Sequence, residues 1–510
     1  MNRQGRVAKS FSNITSGISA NILTILLGII SRKIFITYLG IEILGINGVI
    51  SSIISMLNLV ELGVGTAISQ SLYVPLGKKD YDQVHAIMNL FVKMYKYVAL
   101  AVFAIGIAVF PFLKYIVKTQ EKIGLIAVIY MIYLINAVSS YFISYRRNIL
   151  LADQKGSIIN NVSMACSIFV TILQIIFMIV TGDFIVYLLI SVLNNVFQNI
   201  YLYMKTNNMY PYLIEKKEVS VDKAVKERIY RNVKALFVAR VSMYLVYSTD
   251  NIIISSFVGT VMVGIYSNYI LILNPIKQVI SQIFNGVTPS FGNYLVTNKL
   301  EESLSIFRVM QFINFWISTF VGIGFLLLFN PTIDIWLGEG MVFEKSVVFA
   351  IVLGFYLDSM RSAIETARNA AGMYSPYPMF KYLWLFQAMI NIVLSVLLAF
   401  FMENKILGVF LATCVSHILP TIVVPRDMFV FVFKKSGKEF YVRLANYYIT
   451  GTIIAIICVW LSNIVTFCNR YTIFAVNLII VMVVPNAIIF LLFRKSEEFI
   501  YLYNRFGKIK

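Results

Sequence analysis

The amino-acid sequence predicts an all-α membrane protein of about fourteen transmembrane helices, built as two pseudo-symmetric six-helix lobes plus two C-terminal helices. Three observations carry that expectation. Hydrophobic residues fill 59% of the 510 positions and charged residues only 13%, about half the charged share of an ordinary soluble domain. Apolar stretches recur along the chain, each long enough to cross about 30 Å of hydrocarbon as a helix. Finally, the chain repeats part of its own pattern at an offset of 219 residues.

The first six stretches fall at 12–38, 42–73, 88–117, 123–145, 157–181 and 184–204, and make an N-terminal lobe over 1–205. A linker follows at 206–231, carrying Lys216, Lys217, Lys223, Lys226, Arg228 and Arg231. Six more stretches, at 232–257, 261–292, 305–329, 343–371, 378–402 and 406–433, make a second lobe over 232–433. Two additional helices at 441–465 and 471–493, with a tail, complete 434–510. The loops are too short to fold as domains of their own. Residues 1–13 lead into a span much longer than a signal-peptide core, so no cleavable leader is expected.

The net charge of +19 would suggest nucleic acid in a soluble chain, but here the basic residues lie between membrane-crossing runs and read as topology determinants; no nucleic-acid partner is expected. With the N-terminus inside, cytoplasmic segments hold about 28 of the 43 lysines and arginines and external loops about 6. The external ones are Lys114, Lys118, Lys122, Lys345, Lys405 and Arg470. Both termini are therefore placed in the cytoplasm, with Lys114, Lys118 and Lys122 the weakest point of the layout. Four cysteines without paired spacing and two histidines suggest neither a disulfide framework nor a zinc site.

At the 219-residue offset, Leu39-Gly40 through Gly45-Ile46 aligns with Val258-Gly259 through Gly264-Ile265, and Asn13 aligns with Asn232. Two halves of six spans each run the same way through the membrane, an arrangement known from transporters with parallel repeats, whose substrate path lies between the halves.

Polar and charged residues inside these apolar runs are the candidate site, because a charge near the bilayer centre costs about 2.5–3.5 kcal/mol on insertion scales. The first span carries Asn21 and Arg32 on a stripe of small and polar residues. The seventh carries Arg240, Tyr244, Tyr247 and Asn251 on one face, with Asp250 beside it. The eighth brings Lys277 and Gln278 on a helix expected to kink at Pro275. In the second span Asn58 is the repeat counterpart of Lys277, and Glu61 is a candidate proton or sodium site. The tenth span spaces Asp358, Arg361, Glu365 and Arg368 three, four and three apart, a ladder of alternating charge. Such a ladder either neutralises itself or releases Arg361 or Arg368 to a phosphate, for which guanidinium groups are bidentate partners. Helix packing through small and polar residues is the competing reading of the stripes. Lys93, Lys96, Arg308 and Arg426 lie near span ends, where snorkelling accounts for them. His417 stands alone in an apolar span and reads as a packed, hydrogen-bonded residue. Hydrolase, nucleotide-binding and metalloprotease motifs are absent, so the chain reads as a non-enzyme without a cofactor.

Several segments carry a family likeness: Tyr38-Leu39-Gly40 through Gly45-Ile46, Leu76-Gly77-Lys78-Lys79-Asp80-Tyr81, Ser248-Thr249-Asp250-Asn251, Val263 through Tyr269, and Arg368 through Tyr374. In these the chain resembles the polysaccharide-transport branch (Wzx-like O-antigen and capsule flippases) of the multidrug/oligosaccharidyl-lipid/polysaccharide exporter superfamily. The resemblance implies a bacterial inner or plasma membrane protein working by alternating access around a central cavity. Its substrate would be a polyprenyl-diphosphate-linked oligosaccharide turned from the inner to the outer leaflet for surface polysaccharide synthesis. Arg32, Arg240, Lys277 and Arg361 would supply the cationic surface, tyrosines and amides would meet sugar, and membrane lipid would hold the tail. Glu61, Asp250 or Glu365 would couple the cycle to a proton or sodium ion, and a polysaccharide polymerase with its chain-length machinery would be a partner. Two relatives in the same superfamily stay open, a peptidoglycan lipid-precursor flippase and a cation-coupled multidrug exporter; the basic stripes count against the second.

Overall fold

A computed structural model describes residues 3–61, 64–144, 146–214, 248–373, 378–464 and 469–506, with single residues and short runs between 221 and 245; side chains are described from residue 26 onward. Among the described residues every regular element is helical. In the first part of the chain these are α1 (Arg3–Leu57), α2 (Val64–Lys78), α3 (Tyr81–Val109), α4 (Leu113–Ile116), α5 (Ile123–Ser144), α6 (Arg147–Ala152), α7 (Gly156–Thr181) and α8 (Phe184–Met209). There follow α9 (Asp250–Phe257), α10 (Thr260–Thr297), α11 (Leu300–Leu337), α12 (Lys345–Ser359), α13 (Ser362–Ala370), α14 (Pro378–Phe401), α15 (Lys405–Asp427), α16 (Lys438–Asn463), α17 (Arg470–Phe493) and α18 (Glu497–Phe506).

Among the described residues, 11 helical segments are long and apolar enough to cross a membrane, and the chain is a multi-pass membrane protein. The first and second expected spans count as one segment although Gly40, at φ +84° and ψ 164°, kinks α1 into two helices. The seventh lies largely outside the described residues. The eighth is α10, 38 residues long and unbroken through Pro275 and Pro289, but too polar to count by hydropathy. Large apolar side chains such as Leu193, Phe401, Trp460 and Ile479 point outward, as lipid-facing positions do where hydrocarbon is the solvent.

By packing, the chain divides into two compact units, Met1–Ser267 and Asn268–Lys510. In the first, α1 packs on α5, α7 and α9, and α5 on α3 and α8. In the second, α15 packs on α12 and α14, and α11 on α12, α16 and α17. The boundary falls inside α10.

The repeat has a structural counterpart within the first unit. Gly40 and Gly259, equivalent at the 219-residue offset, both sit at positive φ, +84° and +138°, where a Cβ would be strained. Gly45 lies against the backbone of Thr260 and Gly264 against the backbone of Ile41, so closely that neither position has room for a Cβ. The pair 45/260 becomes 264/41 under the repeat, so this crossing of α1 and α10 is symmetric.

The loop after α4 closes the same end. Thr260 donates its N–H to Lys118 O at 3.0 Å and Ser255 donates its hydroxyl to Ile116 O at 2.7 Å. Glu42 accepts from the Thr119 hydroxyl and from Gln120 N–H at 2.8 Å. Residues 39–42, 116–120 and 255–260 thus share one end of the unit, where alternation of spans requires the turns after the first, third and seventh to meet. The turn that carries Lys114, Lys118 and Lys122 therefore lies where the span order puts it.

Candidate functional site

Among the described residues, polar side chains gather in three places, two in the first unit and one in the second. The first is a cavity of about 330 Å³ lined by Arg32, Asn47, Asn251 and five serines, 51, 52, 55, 248 and 267. It exists because α1 carries Asn47, Ser51, Ser52 and Ser55 on neighbouring turns, three and four residues apart, and turns that face toward α9 and α10. Arg32 donates from Nη1 to Ser267 Oγ at 2.7 Å, and the Ser267 hydroxyl donates in turn to Gly264 O at 2.7 Å. Asn251 Nδ2 donates to Ser52 Oγ at 3.0 Å. Tyr133 donates its hydroxyl to Asn47 Oδ1, which leaves the Asn47 amide nitrogen as a donor. One guanidinium with amides and hydroxyls around it suits phosphate oxygens or sugar hydroxyls.

The second place surrounds Glu61, at the short 3-10 turn (Asn58–Val60) after α1. The second span was expected to be one helix over 42–73; instead α1 ends at Leu57 and Glu61 lies in the break. Tyr95 donates to Glu61 Oε1 at 3.1 Å and receives from Asn148 Nδ2 at 3.3 Å. Tyr141 donates to Asn58 Oδ1 at 2.6 Å, and the Arg147 charge acts on the carboxylate. Glu61 is not among the residues lining the Arg32 cavity. Asp250, 7% exposed at the start of α9, interacts with Tyr266.

The third place lies in the second unit and centres on Asp358, which is ion-paired to both Lys277 and Arg361, the latter at 2.5 Å. The tenth span is two helices, α12 ending at Ser359 and α13 starting at Ser362. The expected ladder therefore resolves into two separate pairs, Asp358 with Arg361 and Glu365 with Arg368 at 2.7 Å. Both guanidiniums stand over one ring, Trp384, with centroid distances of 5.7 Å for Arg361 and 5.5 Å for Arg368, a cation–π geometry. His417 Nδ1 is 4.0 Å from Asp358 Oδ1 and 3.1 Å from Gln387 Nε2. Among the described residues, three cations, Lys277, Arg361 and Arg368, face two carboxylates, Asp358 and Glu365.

Of the sequence-predicted residues, the structure thus joins Arg32 with Asn251, and Lys277 with Arg361, with Glu365 and Arg368 beside them through Trp384. Gln278 is exposed on α10. Arg240, Tyr244 and Tyr247, and the side chain of Asn21, lie outside the described residues. Sequence reasoning missed Trp384, Gln387, Tyr95 and Tyr141, and left His417 as a packed residue. Trp384 was the most findable, as one of only four tryptophans in the chain.

No family model matches the chain, and no curated protein matches it. Solved structures do. The lipid II flippase MurJ in its inward closed conformation is similar over 93% of this chain and 98% of its own, with a TM-score of 0.64 at 14% identity. A multidrug resistance MATE family transporter of the MOP superfamily, inward-facing, matches over 81% and 95%, with a TM-score of 0.56 at 16% identity. A MATE transporter of Vibrio cholerae matches over 81% and 97%, with a TM-score of 0.54 at 12% identity. Fold and site together define a class: a multi-pass helical membrane protein with the fold of MOP-superfamily transporters. Polar clusters are buried in both of its compact units.

Proposed function

We propose that the protein is a flippase that carries a polyprenyl-diphosphate-linked oligosaccharide from the inner to the outer leaflet of a bacterial membrane, for capsule, O-antigen or other surface polysaccharide. The observation that carries this reading is the Arg32 cavity, where among the described residues one cation is ringed by hydroxyls and amides inside an apolar helix bundle. That chemistry fits a headgroup with phosphate on one side and sugar hydroxyls on the other. In the second unit Lys277, Arg361 and Arg368, with both guanidiniums over the Trp384 ring, offer a second surface of the same kind. Phosphate oxygens would displace Asp358, and the indole face would pack on a sugar ring. Arg240, Tyr244 and Tyr247 belong to the same proposal.

Glu61, half-buried, Asp250, buried, and Glu365, which pairs with Arg368 at 2.7 Å, are the proposed ion-coupling carboxylates. A cationic-drug exporter would be expected to use acidic residues at its binding surface, and the basic residues Arg32, Lys277, Arg361 and Arg368 count against it. The likeness to a lipid II flippase over 93% of the chain favours a second reading, a peptidoglycan lipid precursor, which shares the diphosphate and the polyprenyl tail.

The test is a leaflet assay. In cells lacking the gene, lipid-linked oligosaccharide is probed with a membrane-impermeant label. The proposal expects accumulation on the cytoplasmic leaflet and loss of surface polysaccharide. Accumulation of the peptidoglycan precursor instead selects the second reading, and normal outward exposure of both overturns the flippase assignment.

A further inference from the structure

We infer that the second unit binds one bilayer phospholipid with a primary-amine headgroup, in a cleft between α12 and the two C-terminal spans, with the ammonium on Asp334. The cleft has a volume of about 830 Å³, inside the range of about 300–1,000 Å³ usual for small-ligand sites. Its floor is the last part of α11; the start of α12 lines one side, and the end of α16 with the start of α17 lines the other. Pro331 shapes the floor. It cannot donate to Leu327 O one turn back, and Asn477 of α17 takes that carbonyl instead, from Nδ2 at 3.1 Å, while its Oδ1 accepts from Ser462 of α16 at 2.7 Å. Three helices are thereby fastened together along the cleft.

The lining changes character from one end to the other. Val348, Ala455 and Val459 make an apolar body together with Phe349, Ile456 and Trp460. The last three are more than half exposed, so the body opens sideways to where acyl chains lie. The other end, among the turns that join α11 to α12 and α16 to α17, carries Asp334, Glu339, Lys345 and Arg470. Among the described residues none of these four is ion-paired, and Asp334 Oδ1 is buried without a hydrogen-bond partner. A buried carboxylate oxygen left so costs the full penalty of its desolvation, which a ligand that donates to it repays.

Two carboxylates and two cations at one mouth complement a headgroup that is itself zwitterionic, with its phosphate toward Arg470 and Lys345 and its ammonium toward Asp334 and Glu339. An anionic headgroup meets the same two carboxylates with no positive charge to offer them. A choline has the positive charge but no N–H, and leaves Asp334 Oδ1 without a donor. A primary ammonium supplies both. Trp460, exposed beside the mouth, is the residue type that settles at the headgroup level of a bilayer, and with the termini in the cytoplasm this mouth faces the outer leaflet. No residue that lines the Arg32 cavity lines this cleft, so the lipid here is separate from the proposed substrate and fills the gap between the second lobe and the two spans appended to it.

The test uses the full chain in detergent micelles, titrated with dioleoyl lipids and read by native mass spectrometry. Phosphatidylethanolamine should bind at one copy per chain and more tightly than phosphatidylglycerol. Methylating the amine makes the discriminating series. The N,N-dimethyl lipid keeps one N–H and should bind nearly as well, whereas phosphatidylcholine, with none, should bind about tenfold or more weakly. Asp334→Ala should remove that step, and Ala455→Trp, which puts an indole into the cleft, should abolish the bound copy. The methylation series on the natural protein decides the matter even if a variant does not fold. Equal binding of all the headgroups overturns the inference, as does a preference that Asp334→Ala leaves unchanged or a bound copy that survives Ala455→Trp. Displacement of the bound phospholipid by undecaprenyl phosphate at equal concentration also overturns it, because the cleft then belongs to a lipid-linked substrate.

Discussion

Replacing Gly45 with alanine tests the symmetric helix crossing directly. A Cβ at this position would fall on the carbonyl oxygen of Thr260, 2.5 Å from its carbonyl carbon and 3.1 Å from Gly264 N. These are backbone atoms, so no rotamer change relieves the overlap, and α1 must part from α10 until the methyl reaches ordinary carbon contact, about 3.5–4 Å. Overpacking of this kind costs about 1–3 kcal/mol, and a clash with backbone belongs at the upper end. Alanine returns roughly 1 kcal/mol of helix propensity, which leaves a net loss of about 2 kcal/mol. At about 2–4 °C per kcal/mol for a unit of this size, thermal unfolding in detergent should move down by about 4–8 °C.

Gly286→Ala is the control. It lies in the same α10 with open space around its Cβ, so it should be neutral or slightly stabilising. Symmetry adds a sharper demand. Gly264 meets Ile41 as Gly45 meets Thr260, so Gly264→Ala should cost about as much. The double variant should cost less than both together, because helices already parted have room for the second methyl. Equal Tm values for Gly45→Ala and Gly286→Ala, or full additivity of the pair, would refute the reasoning.

Three further outcomes are expected. Tyr269→Phe removes a hydroxyl that donates to Asn330 Oδ1 at 2.6 Å and accepts from Phe343 N–H at 2.8 Å, leaving the buried Phe343 N–H and the half-buried Asn330 Oδ1 without this partner. The loss should be about 2 kcal/mol or more by thermal unfolding, and an unchanged Tm would contradict the bonding. Arg32→Ala should weaken binding of geranyl diphosphate by about ten- to a hundredfold, the worth of a charge-assisted hydrogen bond of about 1.5–3 kcal/mol. Arg32→Lys should recover only part of that, since the ammonium lacks the planar fork; isothermal titration decides it.

The last concerns Asp153, in the turn between α6 and α7. Burial works to raise its pKa, but hydrogen bonds from Lys155 and Tyr210 and the Lys155 charge outweigh it and hold the carboxyl below its ordinary value. Its stabilisation is therefore present above the unfolded carboxyl range, about 3.9, and lost as pH falls through the lower folded value. Asp153→Asn should unfold earlier than the natural protein at pH 7, with the gap narrowing toward pH 3.

Much of this molecule was legible in its sequence because hydropathy is a local sum. Twenty apolar residues form a span whatever they later touch, and helices such as α7, α8, α14 and α17 lie close to where their apolar runs predicted. The repeat was legible too, since Gly40/Gly259 and Gly45/Gly264 mark positions where backbone geometry admits little else. Helix breaks were harder. The run through Glu61 and the run through Arg361 keep their hydrophobicity across the break, so no local signal distinguishes a continuous span from two helices.

The partners of the buried charges were out of reach. Arg361 and Arg368 are seven residues apart, two turns on one nominal helix, and nothing in that spacing reveals that Trp384, from α14, lies under both. His417 looked isolated because Asp358 and Gln387 stand 59 and 30 residues away in the chain. The sequence by itself determined that this chain must live in a membrane, where most of its spans lie and that part of its pattern recurs. Only the tertiary structure decided which buried charge meets which. Hydrocarbon imposes apolarity on each span separately, but a charge inside it is made tolerable by a neighbour that another helix must bring.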